Sequence, residues 1–512
     1  MSQIAQLILP AIRWDADRGG FAHARPAMER SLSLGVGGFI LFGGTQDGVR
    51  ALTKELRLRS RVPLLIAADL ERGAGQQFTG ATGLPPLAAI ASLNDSDAVR
   101  RAARLTAREA RTMGVNWAYA PVCDLDVERN NPIVGTRSLG ADPNRVSALA
   151  AEWIDACQAE GVLACAKHFP GHGRTLADSH DQTPVVNASK KELLETDLRP
   201  FRAAAEAGVA SMMTAHVSYP SLDSSGSPAT LSREILQWLL RQQLKFDGLI
   251  VSDALIMEGL TGAAGSGNGV VAADRARREA EAAVQALQAG CDLLLYPSDP
   301  DHMARALEQA VRDGALDSER IYQSVRRRLK WAQWASPPNE YRKPAATDIA
   351  WAWQLADRCV HQLRGELIRL TSPLDAIVID DDIGGPHPPP SREPFFDTLR
   401  TAGWDVRHTH TPPTDGRRSL VIALFGDIRG WKGRPGYSDE TRKAIDTLCS
   451  AARDSVVIQF SHPRLASEIT GARNVIVAWG GEAAMQHAAA RWVVGSARES
   501  GVGSRESGVR SS

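Results

Sequence analysis

Long apolar runs are missing from this chain. No segment of its 512 residues approaches the roughly eighteen consecutive apolar residues of a membrane-spanning helix, which argues against an integral membrane protein. A surplus of one charge is missing as well. Lys and Arg number 59 and so do Asp and Glu, leaving no electrostatic reason to expect nucleic acid or an anionic membrane as a partner. Cysteine is scarce: Cys123, Cys157, Cys165, Cys291, Cys359 and Cys449 form no CxxC pair and no disulfide framework. Several lie in apolar runs, so buried reduced thiols are expected. The segment Met1 to Pro10 has neither a basic start nor a long apolar stretch and does not read as a signal peptide. A cytoplasmic protein is the expectation.

What is present is organised in two series. At this length two domains are expected. Short, continuous, β-prone apolar runs recur at 6–9, 37–42, 63–69, 115–121, 161–167, 210–216, 248–253 and 291–296. Continuous rather than alternating hydrophobicity suits parallel strands buried on both faces. Arg- and Ala-rich amphipathic stretches at 97–111, 143–160 and 272–289 supply intervening helices. Eight strands with helical crossovers predict an α/β protein whose residues 1–335 form a (β/α)8 TIM-like barrel, with a short and irregular first unit. Residues 336–348, which include Pro337, Pro338 and Pro344, read as a linker. A second series at 375–379, 404–408, 419–425, 455–460 and 474–479 predicts a smaller αβα sandwich over 349–495, built on an open parallel sheet. The tail, 496–512, contains a seven-residue repeat (Arg498 to Ser504, Arg505 to Ser511) without apolar periodicity and is expected to be disordered.

The chemistry concentrates in Lys167-His168-Phe169-Pro170-Gly171-His172-Gly173 and the following Asp178-Ser179-His180. Two glycines and a proline preclude a regular element there, so titratable side chains sit on a shaped loop hung from a buried strand. Asp69, Asp124, Lys167 with His168, His216 and Asp253 each stand at or just past the end of a different apolar run. In a barrel those carboxyl ends converge on the face that carries active sites. Simple capping of strand ends explains one or two of these residues but not the set. Asp253, emerging from a hydrophobic strand, reads either as a nucleophile or charge stabiliser or as a capping aspartate. His180 is a natural proton donor and acceptor, and Asp178, two residues earlier, can bond its far ring nitrogen and fix the tautomer. Lys167 and Arg137 supply donors and Asp69 an acceptor, a mixture that suits a polyhydroxylated ligand. The segment 427–437, with Trp431, reads as an ordinary exposed loop, with stacking on a sugar as the alternative.

These motifs resemble those of glycoside hydrolase family 3, and Lys167–Gly173 with Asp178-Ser179-His180 resembles the defining motif of its NagZ-type β-N-acetylglucosaminidases. Gly38-Phe-Ile-Leu-Phe42, Ala67-Ala-Asp69-Leu-Glu71, Asn116 to Asp124, Asn131-Pro132, Arg137-Ser138, Thr214-Ala-His216, Ser252-Asp253 and Ala289-Gly-Cys-Asp292 agree in order and spacing. The resemblance covers 1–335. It implies retaining, double-displacement hydrolysis that removes terminal non-reducing β-linked N-acetylglucosamine from peptidoglycan fragments or chitooligosaccharides. Asp253 would be the nucleophile and His180, tuned by Asp178, the acid/base. Asp69, Arg137, Lys167 and His168 would hold the sugar hydroxyls, and no cofactor or metal is implied. One departure is that the family usually has an arginine where this chain has Gln77, which would still bind the sugar as a donor, but without charge and without the bidentate fork. Arg72 is the nearest substitute in sequence. The second domain resembles the sandwich that accompanies the barrel in many members and need not be catalytic here.

Three rivals follow from the same residues. A β-glucosidase or a phosphorylase of the same family is the nearest, since a histidine acid/base does not repel an incoming phosphate. A metal-dependent barrel hydrolase would use His168, His172, Asp178, His180 and His216 as ligands, but the first strand lacks an HxH pair and Lys167 would oppose a cation. A non-catalytic muropeptide-binding protein would not need Asp253 or the Asp178/His180 pair.

Overall fold

The computed structural model describes residues 3–496 apart from 181, 262–271, 336–343, 367–369, 383–388, 412–417, 429–431, 433 and 453. The chain divides into two compact units, the first through Ala352 and the second from Trp353. Most of the expected linker and the whole repeat of the tail lie outside the described residues, as does Trp431. A helix, Ala346–Cys359, already begins within the last residues of that linker.

The first unit is the expected TIM-like barrel. Its strands are β1 (Ile8–Leu9), β2 (Ala11–Arg13), β3 (Gly38–Phe42), β4 (Leu65–Ala68), β5 (Trp117–Ala118), β6 (Cys165–Phe169), β7 (Ser211–Thr214), β8 (Leu249–Ala254) and β9 (Leu293–Leu295). All pair in parallel, in two arcs ordered β1-β9-β8-β7-β6 and β2-β3-β4-β5. Pro10, which cannot donate to a ladder, splits the first run between the arcs: β1 joins β9 and β2 joins β3. At the other seam, bridges Trp117–Leu163 and Val122–Lys167 connect β5 to β6. Every residue of β4, β6 and β7 is buried, and β6 runs on through Lys167, His168 and Phe169, where a loop was expected.

Intervening helices start where their caps dictate. Asp95 accepts from Ala98 N–H ahead of Ser96–Thr112, and Asp142 accepts from Arg145 N–H ahead of Pro143–Ala159, with Pro143 at the first helical position. At the far end of the barrel, the fully buried Arg328 donates to the Gly37 and Pro63 carbonyls and to Gln6 Oε1, so helix Ser318–Trp334 ties three strand entries together. All six cysteines are buried and unpaired. No described helix is long and apolar enough to cross a membrane.

The second unit is an αβα sandwich on a six-stranded sheet ordered β10-β15-β14-β13-β11-β12. Its strands are β10 (His361–Arg364), β11 (Leu374–Asp380), β12 (Val406–His408), β13 (Ser419–Phe425), β14 (Val456–Phe460) and β15 (Asn474–Val477). The sheet is not wholly parallel as expected, because β10 runs antiparallel to β15. His-Gln-Leu-Arg carries no apolar run, and as an edge strand it is only half-buried. Its Arg364 guanidinium holds the Ile469 and Ala472 carbonyls, a bond pattern that hydrophobicity does not encode.

Candidate functional site

The carboxyl ends of the barrel strands deliver the charged residues. Asp69 follows β4, Asp124 lies beyond β5, Lys167 and His168 are in β6, His216 follows β7, and Asp253 is the penultimate residue of β8. Asp253 Oδ1 accepts the Ala254 N–H at 2.7 Å, which fixes the carboxylate against its own strand. Burial works to raise its pKa, but His168 and His216, the Ala254 N–H and His180 outweigh burial and hold it below the usual carboxylate range. His216 Nδ1 meets Thr230 Oγ1 at 2.7 Å, and its Nε2 donates to the Ala254 carbonyl at 3.2 Å.

His180 rides on the loop after β6. Its Nδ1 lies 2.6 Å from Asp178 Oδ1, and the same oxygen takes the His180 backbone N–H at 2.9 Å. A carboxylate only accepts, so the ring proton faces it from Nδ1, and Nε2 is the nitrogen suited to proton transfer. This loop is sewn to the chain just past β8. Glu258 N–H donates to the His180 carbonyl at 3.3 Å and Gly259 N–H to the Ser179 carbonyl at 3.2 Å, and Thr183 Oγ1 donates to the Gly259 carbonyl. A Cβ on Gly259 would stand 2.3 Å from the Ser179 oxygen, so only glycine permits this approach. His180 and Asp253 therefore share one face of the barrel.

Buried Lys167 and Glu71 form a balanced set of charges with half-buried Asp69 and Arg137. Lys167 Nζ sits 2.8 Å from both Asp69 Oδ1 and Glu71 Oε1. Arg137 grips Glu71 with both prongs, at 2.9 and 2.7 Å. Burial would depress Lys167 and Arg137 and raise Glu71, but their mutual attraction wins: both bases are held above their ordinary values and Glu71 well below its own. Two acids against two bases keep every donor ionised without net charge. Glu71 closes the Ala67–Glu71 motif, and its role is not evident from sequence. It is only 4% exposed and organises two of the expected sugar-binding residues.

Asp124, fully buried, does the same for the histidines. Its Oδ1 takes the His168 and His172 backbone N–H groups at 3.1 and 2.6 Å, and its Oδ2 meets His168 Nδ1 at 2.7 Å. His172 spends both ring nitrogens on the loop, Nδ1 on Thr175 Oγ1 at 2.7 Å and Nε2 on Ser179 Oγ at 3.0 Å. Burial pulls its pKa down to about 4, against Asp124. The unfolded chain then binds a proton that the folded chain refuses. Stability should be complete above about pH 6.5 and should lose about 3 kcal/mol as pH falls toward 4. Comparing unfolding free energies of the wild type and His172→Gln over that window checks this. The variant starts lower but lacks this part of the slope, and parallel curves would contradict the assignment.

Gln77 is placed differently from an arginine reaching for substrate. Its carboxamide oxygen accepts the Gly43 N–H at 3.2 Å, at the end of β3. The Arg72 guanidinium donates to Thr136 Oγ1 at 2.9 Å, beside Arg137. At the mouth, ends of β2, β3 and β9 converge. The Arg13 guanidinium lies 4.1 Å from the Phe42 ring centroid and donates to the Tyr296 hydroxyl at 2.8 Å. Sequence reasoning missed this trio because its members belong together only once the barrel closes. Among the described residues no group of three or more His, Cys, Asp or Glu is arranged to hold a metal ion.

Several known proteins resemble this chain. The β-hexosaminidase of Thiobacillus denitrificans is 41% identical over 276 residues, covering 52% of this chain and 72% of that protein. The β-N-acetylglucosaminidase/β-glucosidase of Cellulomonas fimi is 36% identical over 305 residues, 58% of this chain, though the match spans only 52% of that protein's length. Among solved structures, a family 3 β-N-acetylglucosaminidase from a Paenibacillus species superposes with a TM-score of 0.81 at 27% identity, covering 96% of each chain. Residues 2–330 match the model of the glycosyl hydrolase family 3 N-terminal domain, and with the barrel and its charged carboxyl face in place, the chain belongs to glycosyl hydrolase family 3.

Proposed function

We propose that this chain is a retaining exo-β-N-acetylglucosaminidase acting on terminal non-reducing β-linked N-acetylglucosamine, from peptidoglycan fragments or chitooligosaccharides. The observation that carries the reading is the stitching of the His180 loop to the backbone just past Asp253, which brings a nucleophile and a proton donor to one face. The β-hexosaminidase relatives support the substrate class. An Asp253 oxygen attacks the anomeric carbon while His180 Nε2–H protonates the departing oxygen, breaking the glycosidic bond and forming a glycosyl ester. Asp178 accepts a hydrogen bond from Nδ1–H throughout, and that proton stays on the ring. Neutral His180 then takes a proton from water, whose oxygen displaces Asp253 and restores the original configuration. Lys167, Asp69, Arg137 and His168 hold the sugar, with Glu71 and Asp124 as positioning residues for them. Gln77, bound to Gly43, keeps its amide N–H groups for a weaker, uncharged contact. The six reduced thiols suit the cytoplasm.

The test compares nitrophenyl β-N-acetylglucosaminide with nitrophenyl β-glucoside, each with and without phosphate. The reading expects higher kcat/KM for the acetamido sugar and release of free sugar irrespective of phosphate. Equal or better glucoside turnover, or sugar phosphate as product, would overturn it.

A further inference from the structure

Tyr119 is the residue that the site described so far does not use. It follows β5 directly, and its backbone N–H donates to the Ala68 carbonyl at 2.9 Å. The β4–β5 register pairs Ala67 with Trp117 and Ala68 with Ala118, so Tyr119 lies across from Asp69. Trp117, two residues earlier on the same side of the strand, reaches Ser211 Oγ on β7 with its indole N–H at 2.8 Å. Such a reach crosses the barrel interior. Tyr119 packs edge-on against Trp117, ring centroids 4.9 Å apart, one layer closer to the catalytic face.

Its hydroxyl is fully buried and has no hydrogen-bond partner among the described residues. The other buried tyrosines behave ordinarily: Tyr219 donates to the Gly171 carbonyl at 2.8 Å, and Tyr437 meets Ser461 Oγ at 2.6 Å. An orphaned buried hydroxyl is costly to keep, so a fold retains one where something else completes it. Burial, then the neighbouring Cys165, Asp69 and Asp253, push the phenol well above its ordinary pKa, so it stays a neutral donor. The register sets it across from Asp69, on the barrel face that carries Asp253.

We infer that the Tyr119 hydroxyl is a further substrate-binding group, donating a hydrogen bond to the sugar seated between Asp69 and Asp253. This rests on the glycosidase reading above. The bound sugar supplies the acceptor that no described residue provides.

Tyr119→Phe removes the oxygen and nothing else. Kinetics on nitrophenyl β-N-acetylglucosaminide should show kcat/KM reduced about tenfold, the worth of one hydrogen bond gained only on binding. Without ligand, the melting temperature should be unchanged or higher, since the variant loses an unsatisfied group. The upward shift produced by saturating N-acetylglucosamine should shrink. A purely structural tyrosine predicts the reverse pattern, a lower melting temperature with kcat/KM within twofold and an intact ligand shift, and that result would overturn the inference. Wild-type protein that neither turns over the substrate nor is stabilised by the sugar would instead overturn the glycosidase reading beneath it.

Discussion

Asp253→Gly should abolish turnover of activated and unactivated glycosides alike, by on the order of 10^5-fold in kcat. In the proposed mechanism the carboxylate bonds to the anomeric carbon, so a better leaving group does not replace it. Two features of the site concentrate the effect in this one residue. The Ala254 N–H holds Oδ1 in place, and His168 and His216 keep the carboxylate charged against burial. Its protonation therefore does not set the acid limb of the pH–rate profile above about pH 4. Asp253→Asn should be nearly as inactive, which separates loss of the nucleophile from loss of packing. Circular dichroism and melting of both variants are checked alongside. A variant that retains a tenth of wild-type activity would contradict the assignment.

His180→Gly should behave differently. Removing a general acid typically costs about 10^2- to 10^4-fold, and the loss falls on substrates whose leaving oxygen needs a proton. Dinitrophenyl glycosides should form the glycosyl ester nearly as fast as with wild type, while unactivated disaccharides should stall. Asp178→Ala should follow the same ranking with a smaller loss, because the carboxylate acts through the imidazole it touches at 2.6 Å. The observable is the slope of log kcat/KM against leaving-group pKa, shallow for wild type and steep for both variants. Equal losses for good and poor leaving groups would remove the acid role.

The parts of the molecule legible in sequence were those encoded locally. The run at 63–69 becomes β4 with Asp69 just beyond it, and the run at 248–253 becomes β8, because a strand buried on both faces must be continuously apolar and its first charged residue marks the exit. The Asp178/His180 pair needed only two residues of spacing. What depends on distant partners was not legible. Glu71 gains its importance from Lys167 and Arg137, which come from other loops. Gln77 is turned toward Gly43 by a backbone N–H that no side-chain pattern announces. Tyr119 reads as one more apolar residue until its hydroxyl is found without a partner. Strand β10 escaped because an antiparallel edge can be polar.

Opposed placement of Asp253 and His180 across one glycosidic bond is tested most directly by rescue with azide. In Asp253→Gly, azide enters the space left by the carboxylate and should yield the α-glycosyl azide from an activated substrate. In His180→Gly the glycosyl ester still forms, so azide arrives from the other side and should yield the β-glycosyl azide. Opposite anomers from the two variants are the expected result. The same anomer from both, read by proton coupling at the anomeric carbon, would contradict the account.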